Sequence, residues 1–551
     1  MPDLKLKVIS SLEKCLWGDS IDSKPEKKDF VMLKNERLSF QVAYYNAAVE
    51  SVVPQCRVAW EGELAKYASV KQVVSVPVMY PGRYGDSGGE YISRDPGLYP
   101  DLIRPLHYNG CAMTPSNQLH ALWVEIELPE DFAGGDYTFT LTLLSEKNEA
   151  LASASANIHV VEAQLPAQKL IHTEWFYTDC IAQYYHVKAF SEKHWKLIKN
   201  FMKTAVRNGV NMIFTPVFTP ELDTYIGGER LTTQLVGIEV LDDGSYKFDF
   251  SALERWINLA LECGFEYFEI PHFFTQWGAK NAPKIVAKKN GRTKRIFGWE
   301  TDAMGEEYDR FLSSFIPALI NCFKAHGLDK KCYFHVSDEP RLSDMEQYTR
   351  CKNIIGKHLE GYHIIDALSN YEFYTSGALK KPIPKTRHMA PFIENNVEGL
   401  WTYYCGSGGV ESNRFIAQPT ARTRIIGVQL YLYKIEGFLH WGYNFYNNRR
   451  SYDVLDPFGY TDGEFFAPSG DMYVVYPGDD GTAWESIRLN AMREAVDDIR
   501  ALELYESKFG REATEKLILE GTDGTLTFLH YPTDPAYILN LREKIAKALE
   551  A

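Results

Sequence analysis

The feature that most constrains this chain is a change of hydrophobic period near residue 165. Before it, apolar residues alternate with polar or small ones: Leu38, Phe40, Val42 and Tyr44; Leu122, Val124, Ile126 and Leu128; Tyr137, Phe139, Leu141 and Leu143. Period two marks strands with one buried face. Turn chemistry such as Pro129-Glu130-Asp131-Phe132-Ala133-Gly134-Gly135-Asp136 separates the last two runs. Residues 1–165 are therefore expected to form an antiparallel β-sandwich. The segment Gln164-Leu165-Pro166-Ala167-Gln168 is its natural end.

Beyond that point strands alternate with helices. Strands are expected over 170–177, 210–217, 265–272, 331–337, 362–368, 387–393, 399–404 and 437–443. Trp195, Ile198, Phe201, Met202 and Ala205 recur at three/four spacing, and Asn208-Gly209 stops that helix. Ser251 and Glu254 have capping-box spacing before a helix ending near Gly264. Tyr308, Phe311, Phe315, Leu319 and Phe323 line a helix that contains Pro317 and ends at Gly327. Further helices are expected over 343–359, 412–434 and 484–505. Eight such repeats specify a (β/α)8 TIM barrel over 166–510. One joint is irregular, because only residues 394–398 separate two supposedly parallel strands, and a crossover needs about a dozen. A C-terminal extension, 511–551, carries a β-like piece at 525–530 and a closing helix.

Composition narrows the function. The 551 residues carry 59 Lys+Arg against 73 Asp+Glu, a net charge of −14. That balance argues against nucleic acid or an anionic membrane as a general partner. No apolar stretch approaches the roughly 18 residues of a membrane span, and no secretory h-region follows Met1, so the expectation is a cytoplasmic protein without membrane insertion. The 9 Cys include no C-x-x-C pair, which argues against a disulfide framework or thiolate zinc. There is no H-E-x-x-H, no complete phosphate loop around Gly406-Ser407-Gly408-Gly409 and no G-x-S-x-G. Neither metal nor cofactor is expected, and Gly406–Gly409 reads as a flexible rim loop. An oligomer remains compatible with all of this.

Barrel enzymes work at the C-terminal ends of their strands. The richest such end is Cys332-Tyr333-Phe334-His335-Val336-Ser337-Asp338-Glu339-Pro340, where a buried strand runs into two adjacent carboxylates. Strand neighbours point to opposite faces, so Asp338 and Glu339 share a pocket only if the chain twists there. Pro340 biases Glu339 toward extended geometry and favours a break. Carboxylates flanking a sugar must stand about 5–5.5 Å apart for a nucleophile and about 6.5–9.5 Å for an inverting pair. Adjacent residues more easily approach from one side. That suits a substrate-assisted reaction, in which a 2-acetamido oxygen attacks the anomeric carbon.

The doublet resembles the catalytic pair of glycoside hydrolase family 123, the β-N-acetylgalactosaminidases. So do Glu174-Trp175-Phe176-Tyr177-Thr178-Asp179-Cys180, the stretch Thr215-Pro216-Val217-Phe218-Thr219-Pro220-Glu221-Leu222-Asp223-Thr224, Gly227-Gly228-Glu229-Arg230, and Arg488-Leu489-Asn490-Ala491-Met492-Arg493-Glu494. The front part, with Tyr99-Pro100-Asp101-Leu102, is similar to that family's N-terminal sandwich. The resemblance implies Glu339 as general acid/base, Asp338 as the group that orients the acetamido, and a β-GalNAc-terminated oligosaccharide or glycolipid glycan as substrate. Strand-end positions add Asp179, Asp223, His272, Asp366, Trp401, Tyr403 and Trp441 as substrate-binding candidates. Trp401 or Trp441 would form a floor under the sugar, and Asp223 or Asp366 would accept from hydroxyls. Two alternatives stand beside this reading. One is a conventional retaining glycosidase with Glu269 or Glu394 as nucleophile; the other is a glycan-binding protein without turnover.

Overall fold

A computed structural model describes residues 3–48, 55–83, 88–406 and 409–550. The alternating N-terminal runs become strands Arg37–Asn46, Leu119–Glu127 and Gly135–Leu144. They belong to two facing sheets. The first runs Leu4–Ser10, Arg37–Asn46, Leu119–Glu127, Ala68–Val78 and Gly97–Pro105. The second runs Asp29–Lys34, Ala150–Gln164, Gly135–Leu144, Gln55–Glu61 and Cys111–Met113. Phe40, Val124, Phe139, Leu141 and Ile158 fill the space between them. Such burial is worth roughly 1.5–3 kcal/mol per large side chain, which is what selects the alternating pattern.

The first sheet does not end with the N-terminal segment. Two late strands, Ala483–Ser486 and Val475–Pro477, extend it past Gly97–Pro105. The seam is locked electrostatically. Asp101, fully buried on Gly97–Pro105, takes two 2.8 Å bonds from Arg488, the second residue of helix Ile487–Phe509. Tyr476 donates to the same carboxylate at 2.6 Å, and Arg488 also donates to Tyr473 O at 2.8 Å. Two stretches that carry the family resemblance, around Asp101 and around Arg488, thus meet in one ion pair.

Eight parallel strands form the barrel: β1 (Ile171–Glu174), β2 (Met212–Phe214), β3 (Tyr267–Ile270), β4 (Cys332–Phe334), β5 (His363–Ala367), β6 (Lys381–Ile383), β7 (Trp401–Tyr403) and β8 (Gly437–His440). β8 pairs β1. Between β6 and β7 the ring closes by a Lys385–Tyr403 bridge and a 3.3 Å bond from Tyr403 N to Pro384 O. The irregular joint is resolved by moving one strand. The expected strand 387–393 is instead a turn and the helix Ala390–Glu394, and the true sixth strand is Lys381–Ile383. Pro382 and Pro384 hide it, because proline reads as a strand breaker although a three-residue strand needs few ladder donors. Helix 412–434 is shorter than expected, Ala421–Arg424 followed by Ile426–Leu432. Residues 525–530 form no strand; Leu526 and Phe528 are simply buried from a loop.

A third sheet was not anticipated. The loops after β2 and β3 each contribute a hairpin, Gly237–Val240 with Tyr246–Asp249 and Ile285–Lys289 with Arg292–Phe297. Asn290-Gly291, both at positive φ, form the two-residue turn of the second, which is the strongest short-range hairpin signal. Replacing Asp101 by Ala strands a buried guanidinium at the seam. The expected loss is about 3–5 kcal/mol in urea unfolding, and a loss below about 1 kcal/mol would show that the seam does not depend on this pair.

Candidate active site

The barrel mouth is built on a charged core. His335 follows β4 and is fully buried, with Nε2 at 2.7 Å from Glu269 Oε1 and Nδ1 at 3.1 Å from Asp366 Oδ1. Glu269 lies on β3 and also accepts from Trp175 Nε1 at 2.8 Å and from the Thr173 hydroxyl. Asp366 lies on β5 and accepts from Tyr348 OH at 2.5 Å and from Val336 N at 3.1 Å. Burial alone would strip the proton from His335. The hydrogen bonds and charges of Asp366 and Glu269 outweigh it and push the imidazole up to about 9. Both ring nitrogens therefore donate, and the group is an imidazolium.

Past His335 the chain is zipped to the loop after β3. Phe274 N donates to Val336 O at 3.0 Å, Ser337 Oγ to Thr275 O at 2.8 Å, and Trp277 N to Asp338 O at 3.4 Å. Glu339 N donates to Ala367 O at 3.0 Å. Between these anchors Glu339 takes φ +40°. The extended geometry expected before Pro340 is not adopted. Its backbone bond to Ala367, the last residue of β5, holds a left-handed turn that a glutamate adopts only at a cost of about 1–3 kcal/mol. The turn breaks strand alternation, so neighbouring side chains are no longer sent to opposite faces. Asp338 is half-buried and Glu339 exposed at the mouth. Burial pushes the Asp338 carboxyl well above the usual range; repulsion from Glu339, Asp366 and Glu221 adds to this, and His335 opposes it. Tyr403, at the end of β7, donates to Glu339 Oε1 at 2.5 Å. The Lys385 ammonium lies 5.6 Å from the centroid of that tyrosine.

The other sequence candidates divide sharply. Tyr403 is a holder of Glu339 and not a sugar platform, since its ring is buried. Trp401 is 1% exposed and packs on Tyr333 at 5.3 Å inside the barrel, so it cannot floor an open site. Asp366 is occupied by His335 and Tyr348, as above. Asp179 is buried against Arg230 at 2.7 Å, and Arg230 in turn covers the Tyr177 ring. Asp223, at φ +49°, spends Oδ2 on the backbone N–H of Arg450 at 2.9 Å; burial pushes its carboxyl up to about 6. These aspartates bind protein because each lies where a loop must be fastened. Trp441, just after β8, stays half-buried with Nε1 on Asp471 at 3.0 Å and its ring against Phe445 and Phe466. His272 is 2% exposed; neither ring nitrogen makes a hydrogen bond among the described residues, and Nε2 lies 3.8 Å from Asp366 Oδ1. Glu269 is sealed into the His335 cluster. Glu394 is exposed at the end of the helix Ala390–Glu394 that follows β6, away from any strand end.

Sequence reasoning missed Glu221 and Gln276. Glu221 follows β2, and burial pushes its carboxyl up to about 8, with Oε1 unpartnered. Gln276 accepts from Asp223 N at 2.9 Å and leaves Nε2 unpartnered. Like His272, each follows β2 or β3 and carries a buried side-chain atom without a hydrogen-bond partner among the described residues, a condition that calls for a reason. Glu221 lies in the Thr215–Thr224 stretch that carries the family resemblance, which was the available signal. His272, His335 and Asp366 also bring ligand atoms within 4.8 Å of one another. That set does not suit a divalent ion, because both His335 nitrogens are committed as donors to carboxylates. Of the glycine-rich segment at 406–409, Ser407 and Gly408 lie outside the described residues.

An eight-stranded barrel whose mouth presents two adjacent carboxylates is an architecture of glycoside hydrolases. The catalytic-domain model of glycoside hydrolase 123 matches residues 175–505, and the chain belongs to that family of enzymes. Its fold is similar to that of a family 123 glycoside hydrolase from Clostridium perfringens, described for glycolipid glycan hydrolysis. The TM-score is 0.72 at 15% identity, over 99% of this chain and 97% of that one. Similarity extends weakly to a GH5 xyloglucanase from Bacteroides ovatus, with TM-score 0.33 and 9% identity over 90% of this chain and 100% of that one. An endo-β-1,4-mannanase from Thermotoga petrophila gives 0.34 and 14% over 61% and 77%. No curated protein matches the chain. No helix among the described residues is long and apolar enough to cross a membrane.

The His335 cluster has a pH signature. Its folded value of about 9 lies above the ordinary 6.5, so the proton stabilises the fold fully below pH 6.5, and that stability is lost as pH rises through 9. The predicted loss is about 3 kcal/mol over this window, measurable by urea unfolding at pH 6 and pH 9. A flat profile would mean that His335 is neutral.

Proposed function

We propose that the chain is a retaining exo-β-N-acetylgalactosaminidase that removes terminal β-GalNAc from glycosphingolipid-type glycans by substrate-assisted catalysis. The observation that carries this reading is the doublet itself: Asp338 and Glu339 are adjacent at the mouth, while Glu269 is sealed and Glu394 lies on the helix after β6 and not at a strand end. A conventional nucleophile facing an acid across the sugar has no candidate among these residues. The glycolipid glycan class follows the description of the Clostridium perfringens relative.

In the empty site the raised Asp338 carboxyl holds a proton shared by the pair. A bound substrate donates its acetamido N–H to Asp338, which favours the Asp338 carboxylate and leaves the proton on Glu339. The acetamido oxygen then attacks the anomeric carbon as the glycosidic C–O bond breaks, and Glu339 gives its proton to the leaving oxygen. Asp338 offsets the positive charge on the oxazolinium ring. Water, losing a proton to Glu339, opens that ring from the face the aglycone left, so configuration is retained. Tyr403 keeps Glu339 aimed at the leaving oxygen, and Trp441 offers an apolar face to the sugar.

Hydrolysis of aryl β-GalNAc, β-GlcNAc and β-galactoside by wild type, Asp338→Asn and Glu339→Gln tests the mechanism. Each substitution should lower β-GalNAc turnover by about 10²–10⁴-fold. Galactoside turnover equal to that of β-GalNAc would overturn substrate assistance, and absence of any turnover would favour a glycan-binding role. A thiazoline analogue of the intermediate should inhibit competitively. Because the pair must keep one proton for Glu339 to deliver, kcat/KM should fall as pH rises through the raised Asp338 value, a limb above the usual carboxylate range. Tyr403→Phe should lower kcat about tenfold with little change in KM; a change confined to KM would remove its aiming role.

A further inference from the structure

A cavity of about 400 Å³ opens beside the catalytic mouth, lined by Asn448, Arg449, Arg450, Tyr452, Gly463 and Glu464. Its wall is a strained turn after β8, with Arg450 at φ +61° and Ser451 at φ +53°. Non-glycine residues adopt two such positions in succession only when the surroundings hold them there. Here the holder is the loop after β2. Asp223 accepts from Arg450 N through Oδ2 at 2.9 Å, and its carbonyl accepts from Ser451 Oγ at 2.9 Å. Tyr225 N donates to Arg450 O at 3.0 Å. The Tyr225 and Tyr452 rings stack at 4.5 Å and 13°.

This fastening holds two exposed arginines next to the chemistry. The Arg450 guanidinium lies 5.9 Å from the centroid of Trp277, whose N–H donates to Asp338 O. Trp277 is itself 39% exposed and at φ +61°. Three carboxylates share these loops; none makes a direct ion pair with a guanidinium, although Asp223 feels the charges of Arg449 and Arg450. Asp453 and Glu464 are held by the Asn448 amide at 3.3 and 3.0 Å, and Asp223 is held by the backbone. Among the described residues, neither Arg449 nor Arg450 makes a side-chain hydrogen bond or an ion pair. Two guanidinium forks whose donors make no direct hydrogen bond, in a chain of net charge −14, suit a carboxylate or sulfate, which they match bidentately.

We propose that this cavity is the aglycone subsite and that Arg449 and Arg450 bind an anionic group, carboxylate or sulfate, on the sugars next to the scissile bond. Trp277 offers the stacking face for the first of those sugars. The proposal rests on the catalytic reading above and adds to it a preference for acidic glycans.

The test compares a neutral β-GalNAc-terminated trisaccharide with its carboxylated and its sulfated counterparts. At low ionic strength the wild-type kcat/KM for at least one acidic substrate should exceed the neutral one about tenfold. About 0.5 M salt should shrink that ratio, because exposed charges are screened over a few ångströms there. Which acidic arm shows the larger ratio identifies the anion. In Arg449→Ala/Arg450→Ala the ratio should fall to about one, and Arg449→Lys/Arg450→Lys should restore part of it, which separates charge from folding. Equal wild-type rates on neutral and acidic substrates, or a preference that survives the alanine pair, would overturn the proposal. Aryl β-GalNAc reports the reaction without aglycone sugars, so its failure counts against the catalytic reading alone. Calorimetric binding of the same trisaccharides to Glu339→Gln reports the subsite without turnover; equal affinities for neutral and acidic forms would also overturn it.

Discussion

The imidazolium of His335, buried between Glu269 and Asp366, is the interaction on which the mouth depends. It joins β3, the end of β4 and β5, and through Glu269 it reaches Thr173 and Trp175 at the end of β1. Buried charges are costly unless every lone pair and proton is used. Here the carboxylates also take Tyr348 and Val336 N, so the cluster is rigid as well as charged. Rigidity matters because Asp338 stands three residues past His335. Its proton affinity is set by the balance of burial and repulsion against the nearby positive charge.

Strain is concentrated around the same opening. Glu339, Trp277, Asp223, Arg450 and Ser451 all sit at positive φ, and each is fixed by a hydrogen bond to another loop. The loops after β2, β3, β4, β5 and β8 thus constrain one another. This explains why several aspartates at strand ends bind protein rather than sugar: a cleft of irregular loops needs internal acceptors for its backbone N–H groups. Away from the mouth, the Asp101–Arg488 pair performs a comparable task, joining a strand of the sandwich to the helix that follows the hairpin 475–486.

Patterns with a strict period were legible in the chain. Leu122–Leu128 read as a strand and is one, and the eight-fold alternation read as a barrel and forms one. The doublet was legible because a strand of buried residues ran into two acids before a proline. What stayed hidden had short or shared signals. β6 spans three residues with Pro382 at its centre and Pro384 just after it, and the hairpin Ile285–Phe297 announced itself only through Asn290-Gly291. Glu221 and Gln276 gave no periodic signal, since their importance comes from missing partners, which a linear pattern does not record.

The amino-acid order by itself determined the two-part architecture, the family resemblance and the place of Asp338-Glu339, because hydrophobic periodicity and strand-end position are local properties. Only the tertiary structure decided which polar residues were free to act. Trp401 and Trp441 are equivalent as strand-end tryptophans, yet one fills the barrel interior and the other borders the mouth. Asp179 and Asp366 look like ligands for hydroxyls until Arg230 and His335 are brought against them. Arg449 and Arg450 are ordinary surface cations until the fold shows that Asn448 and a backbone N–H take the neighbouring carboxylate oxygens and leave the guanidinium donors without a direct bond. Whether a charge is already satisfied depends on residues elsewhere in the chain, up to 227 positions away for Asp223 and Arg450, and folding alone brings those residues together.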